Sequence, residues 1–158
     1  MKKIAILTFV LTLVLALSAC ANTAEPTQLG TSDFSIVLPE GYALGEDDFD
    51  EDQVAYYCKD ENSVDFDVYQ WEKGDQYTLE SEAKAYAESY GTVAEAVEVN
   101  GINGMKYVSE EEYEGAVYTV VNYMFEDDVY LVEICFWTVG SEAEYKAVDE
   151  IVSTLKKN

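Results

Sequence analysis

The chain has 158 residues, of which 32 are Asp or Glu and 9 are Lys; it has no His and no Arg, and its formal charge is −23. That charge excludes a nucleic-acid partner, because phosphates would be repelled. The missing Arg and His remove the bidentate anion clamp and the commonest general base, and a hydrophobic share of 49% at this length fits one globular domain.

Residues 1–19 have the layout of a secretory signal. Lys2 and Lys3 form a positive start, Ile4 to Leu17 are apolar and uncharged, and the small Ser18 and Ala19 lead to Cys20. The apolar run is shorter than the roughly 20 residues a bilayer span needs. Leu17-Ser18-Ala19-Cys20 resembles a bacterial lipobox. That resemblance implies cleavage before Cys20 and a diacylglycerol on its sulfur, hence an anchored domain on the extracytoplasmic face of a bacterial cell membrane. Two acyl chains suffice for stable attachment. Cleavage removes Lys2 and Lys3 and no acid, so the lipid, not surface charge, must hold the domain there.

Residues 20–32 are small, polar and aperiodic after the anchoring Cys20, and read as a flexible tether. The folded domain is then expected over 33–158. Phe34, Ile36 and Leu38 alternate with Ser35 and Val37 until Pro39-Glu40-Gly41 turns the chain, which predicts a strand. Val54 to Cys58 and Val64 to Trp71 predict two more. Over Thr78 to Tyr90 the period changes: Leu79, Ala83, Tyr86, Ala87 and Tyr90 share one helical face, with Thr78 as N-cap and Gly91 as stop. Val93 to Val99 and Met105 to Ser109 flank the hairpin signal Asn100-Gly101, whose chemistry Asn103-Gly104 repeats three residues later.

Ala116 to Phe125 and Val129 to Thr138 carry apolar residues at odd and even positions, so both faces of that part of the sheet should be covered. A last helix opens on the capping box Ser141 to Glu144. Its stripe is Ala147, Val148, Ile151, Val152 and Leu155, and it ends in Lys156 and Lys157, which suit its negative end. The order indicates an α+β domain with an antiparallel sheet of about six to seven strands and helices packed on it.

Phe34-Ser35-Ile36-Val37-Leu38-Pro39-Glu40-Gly41-Tyr42, Val99-Asn100-Gly101-Ile102-Asn103-Gly104 and Ile151-Val152-Ser153-Thr154-Leu155-Lys156 resemble the PsbP/DcrB-like lipoproteins. The resemblance covers Asp33 to Lys157. It departs at Tyr42, where that family often carries Trp. It implies a sheet sandwiched by helices (an α/β/α sandwich) and an accessory or binding role, with no shared catalytic set to carry over.

Four groups of residues bear on chemistry. Glu46-Asp47-Asp48-Phe49-Asp50-Glu51-Asp52 is oxygen-rich enough for a Ca²⁺ site built on Asp47, Asp48, Asp50 and Asp52, although Gln53 and Lys59 break the EF-hand pattern; the alternative is a solvated acidic loop. Glu110-Glu111-Glu112 with Glu114, and Glu126-Asp127-Asp128, read as solvated hairpin ends. Cys58 and Cys135 remain once Cys20 is lipidated, and can pair as a disulfide or stand as small hydrophobes.

Asp65, Asp67, Tyr69 and Trp71 share one face of a strand, where acids beside aromatic rings could grip a sugar or a cation; the alternative is an ordinary half-exposed sheet face. Glu133 stands between Val132 and Ile134 in the most apolar strand, either desolvated with a raised pKa, or at an edge or solvent-facing position, or paired with a lysine such as Lys106. Three functions follow. The first is a non-enzymatic module binding an unidentified protein or small ligand. The others are a carboxylate-based hydrolase of an envelope polymer, and a divalent-cation-binding protein.

Overall fold

A computed structural model describes residues 25–45, 51–60 and 63–158. The signal segment, Cys20, and Asp47, Asp48 and Asp50 lie outside the described residues. In chain order come β1 (Thr27–Gln28), β2 (Phe34–Ile36), β3 (Ala43–Leu44), β4 (Gln53–Cys58), β5 (Asp65–Glu72), α1 (Leu79–Ser89), β6 (Glu95–Val99), β7 (Ile102–Tyr113), β8 (Ala116–Glu126), β9 (Tyr130–Thr138), α2 (Glu142–Val152) and β10 (Lys156–Lys157). The main sheet has seven strands in the order β3-β4-β5-β9-β8-β7-β6, and a small sheet has the order β1-β2-β10. Every pairing is antiparallel.

Alternation along the strands divides the side chains between two faces. On one face Phe66, Val68, Val121, Tyr123, Phe125, Val132, Ile134 and Phe136 are buried beneath Val148, Ile151 and Val152 of α2, Phe34 and Ile36 of the small sheet, and Leu29 just after β1. On the other, Ala83 and Ala87 of α1 pack on Met105, Tyr107 and Met124. The helices therefore lie on opposite faces, which is why β8 and β9 are apolar at both odd and even positions. Both helix starts are capped reciprocally, Thr78 with Ser81 and Ser141 with Glu144. Asn100 and Gly101 take the positive φ values, 52° and 79°, that a tight two-residue hairpin requires.

Several expectations are corrected. Residues 27–32 belong to the fold and not to a tether: Leu29 and Ser32 are buried, and Thr27–Gln28 pairs with β2. Lys156 and Lys157 do not end α2 but pair with Phe34 and Ser35. The helix stops earlier because the hydroxyl of Thr154 turns back to the Ile151 carbonyl (2.6 Å) and the Asn100 amide caps the carbonyls of Ser153 (2.7 Å) and Leu155 (3.0 Å). Of the acids expected at the β7–β8 hairpin end, Glu114 stands at the turn but Glu110-Glu111-Glu112 does not. It pairs within the ladder against Thr119, Tyr118 and Val117, and the turn falls at Glu114-Gly115.

Asp127, by contrast, is not solvated. It is buried and accepts from the backbone N–H groups of Asp33 (2.8 Å), Val129 (2.7 Å) and Tyr130 (2.6 Å). Burial opposes its charge, but these donors hold its carboxyl below the ordinary value.

Cys58 and Cys135 are free thiols, not a disulfide. Strand β5 runs between their strands, so their backbones lie two strand spacings, about 10 Å, apart, beyond the Cα separation of about 7 Å a disulfide can bridge.

Candidate functional site

The face that carries α1 is only partly covered by it. The register places Asp65 opposite Trp137, Asp67 opposite Cys135, Tyr69 opposite Glu133 and Trp71 opposite Leu131. On the far side of β9, Glu133 meets Met124 and Cys135 meets Asn122; β7 then adds Tyr107 beside Asn122. The strand face read from the sequence is thus the edge of a wider floor. Helix α1 seals the Met105–Met124 end through its two buried alanines, Ala83 and Ala87. That close seat leaves Tyr86 and Tyr90, on the flank of the same helix, partly exposed as a wall. Tyr86 packs on Trp71 with ring centres 5.8 Å apart, and Tyr90 stacks on Tyr107 at 6.4 Å.

The result is a cleft with two lobes. The larger, about 410 Å³, is walled by Trp71, Tyr86, Tyr90 and Tyr107, floored by Asn122, Glu133 and Cys135, and rimmed by Glu51, Asp52 and Glu111. The smaller, about 250 Å³, is lined by Gln53, Tyr56, Asp65, Asp67, Tyr113 and Tyr118. Tyr69 and Trp137 border both. All five candidate ligand-binding residues named from the sequence, Asp65, Asp67, Tyr69, Trp71 and Glu133, therefore meet in one depression. Both tryptophans of the chain stand in it too.

Hydrogen bonds fix the acids. Asp67 accepts from the Trp137 indole (2.6 Å) and from the Gln53 amide (2.7 Å), and Asp65 accepts from the Tyr56 hydroxyl (2.8 Å). Glu133 is only 5% exposed, and the Tyr107 hydroxyl donates to its Oε1. Burial pushes the Glu133 carboxyl up to about 7; the Tyr107 donor pulls it down and the charge of Glu111 pushes it further up. Burial and the neighbouring carboxylates raise the Tyr107 and Tyr56 hydroxyls, so both remain donors at neutral pH. Burial likewise raises the Cys135 thiol, which makes it a poor nucleophile.

Lys106 does not pair with Glu133. It lies over the ring of Tyr123, on the opposite face of the sheet. No lysine lines either lobe among the described residues. Nor, among the described residues, do three or more metal-ligating side chains converge. Of the acidic run, the described Glu51 and Asp52 reach the cleft rim.

Sequence reading missed Tyr86, Tyr90, Tyr107 and Trp137 as site residues. The tyrosines of α1 fall on its apolar stripe and look like core. Trp137 shares a face with Glu133 by strand alternation, and that signal was available.

No protein-family model matches the chain, and no curated protein sequence matches it. Solved structures share its fold. One is the solution structure of cyanobacterial PsbP (CyanoP) from Synechocystis sp. PCC 6803, with a TM-score of 0.60 and 14% identity, covering 90% of this chain and 99% of that one. Another is a crystal structure from Bacteroides thetaiotaomicron VPI-5482, with a TM-score of 0.59 and 16% identity. The match covers 83% of this chain but 49% of that one, so this chain spans about half its length. The fold, an antiparallel sheet with a helix on each face, is PsbP-like.

Proposed function

We propose that the chain is a lipid-anchored extracytoplasmic protein whose PsbP-like domain is a non-enzymatic binding module, with the two-lobed cleft as its site. The observation that carries this reading is the joining of six aromatic rings and a buried carboxylate in a cavity of about 410 Å³, a size within the usual range for small-molecule sites. The chain offers the cleft no histidine, no arginine and no activated thiol, so recognition accounts for its residues better than group transfer. The likeness to PsbP/DcrB-like lipoproteins supports the same role.

The lipobox-like Leu17-Ser18-Ala19-Cys20 supports the anchor. Among the described residues no helix is long and apolar enough to cross a membrane. With the fold starting at Thr27, the residues 21–26 reach at most about 20 Å, which keeps the domain close to the bilayer. In the native host Cys20→Ala is expected to leave the membrane fraction or to accumulate as an uncut precursor. Unchanged lipid labelling of that variant would contradict the anchor.

Glu133 gives the hydrolase reading its one support, because a buried carboxyl poised near neutrality suits a general acid. The binding reading expects the purified protein to release no soluble fragments from peptidoglycan. Release that disappears in Glu133→Gln would replace it.

A further inference from the structure

We infer that the larger lobe takes an organic ammonium ion, seated between the Glu133 carboxylate and the rings of Trp71, Tyr86 and Tyr90. This rests on the reading of the cleft as a binding site. Four classes of ligand can be weighed against the residues present. An anion meets Glu51, Asp52, Glu111 and Glu133 with no lysine on the lining among the described residues, and is repelled. A hard metal ion needs several oxygens converging on one point, and no such group exists among the described residues. A neutral sugar could stack on the rings, but it offers no counter-charge to the buried Glu133 once that carboxyl is ionised.

An alkylammonium head satisfies both features at once. Its diffuse charge is weakly hydrated, so it sheds water readily and is drawn to the electron-rich faces of Trp and Tyr. The geometry provides those faces around the carboxylate. Tyr86 and Tyr90 both feel the charge of Glu133, and Tyr86 and Trp71 are in ring contact. Tyr107 engages Oε1 of Glu133, and among the described residues no lysine lines the lobe. A cation in the lobe supplies the missing counter-charge.

The test is calorimetry and tryptophan fluorescence on the mature chain. The probes are choline, the neutral alcohol in which carbon replaces its quaternary nitrogen, and glucose. Choline should bind at least about ten-fold more tightly than its neutral counterpart. It should perturb the fluorescence, since both tryptophans border the cleft. Glu133→Gln should cut choline affinity about ten-fold, as should Tyr86→Leu, a partly exposed position where the fold tolerates change. Far-UV circular dichroism confirms that each variant is folded. Equal binding of choline and its counterpart, binding of glucose alone, or choline affinity indifferent to Glu133→Gln in a folded variant would overturn the ammonium class and leave the binding cleft standing. Silence from all three probes would overturn both.

Discussion

At about pH 8, Glu133→Gln is expected to be more stable than the parent by on the order of 3 kcal/mol, and at about pH 4 to have lost that advantage. Burial raises the Glu133 carboxyl from its ordinary 4.5 to about 7 in the fold. Between those values the folded chain keeps a proton that the unfolded chain has released. Stability is therefore fully present below about pH 4.5 and drains away as pH rises through about 7. The groups facing Glu133 do not reverse the sign. Tyr107 stays protonated, as do Tyr86 and Tyr90, whose hydroxyls burial raises further, and so does the Cys135 thiol. The Glu111 charge pushes in the same direction as burial. Glutamine keeps an oxygen for the Tyr107 hydroxyl while removing the titration. Urea midpoints of both proteins across this range read the difference directly. Parallel pH curves would show that Glu133 is not desolvated in the fold.

Phe66→Ala is expected to cost about 3–5 kcal/mol, a large part of the roughly 5–15 kcal/mol that holds a domain folded. Phe66 is fully buried, with ring centres 5.0 Å from Phe136, 5.1 Å from Tyr57 and 6.1 Å from Tyr42. Truncation removes its transfer energy and leaves a cavity that Tyr57 and Phe136, held in β4 and β9 by ladder hydrogen bonds, cannot collapse to fill. Urea unfolding followed by far-UV circular dichroism gives the value. A loss under about 1 kcal/mol would mean that this face of the sheet is not the packed core described above.

The elements legible in the sequence are those with local signals. Strand alternation in β5, the capping residues Thr78 and Ser141, and the Asn100-Gly101 turn each act within a few residues, and each appears in the fold. The strands β1, β3 and β10 have two residues each, too few to show a period; their pairing is set by β2 and β4. Asp127 sits in an acidic run that reads as solvated, and only the fold supplies the three backbone donors that bury it.

The site divides along the same line. Asp65 to Trp71 share a face by alternation alone, and Glu133 stands out as an acid in an apolar strand. Tyr107 reaches Glu133 from 26 residues away, through the register of two intervening hairpin pairings, and no local pattern encodes that register. Tyr86 and Tyr90 look like core because the helical period is blind to where the sheet beneath them ends.

The claim that the aromatic, acid-floored cleft is where this domain meets its ligand is tested most directly by NMR, following the indole N–H resonances of Trp71 and Trp137 as choline is added. Both should shift along with the backbone amides of Glu133 and Tyr107, while those of α2 on the opposite face stay still. Shifts confined to α2 or the small sheet, with both indoles unmoved, would place binding elsewhere and contradict the account.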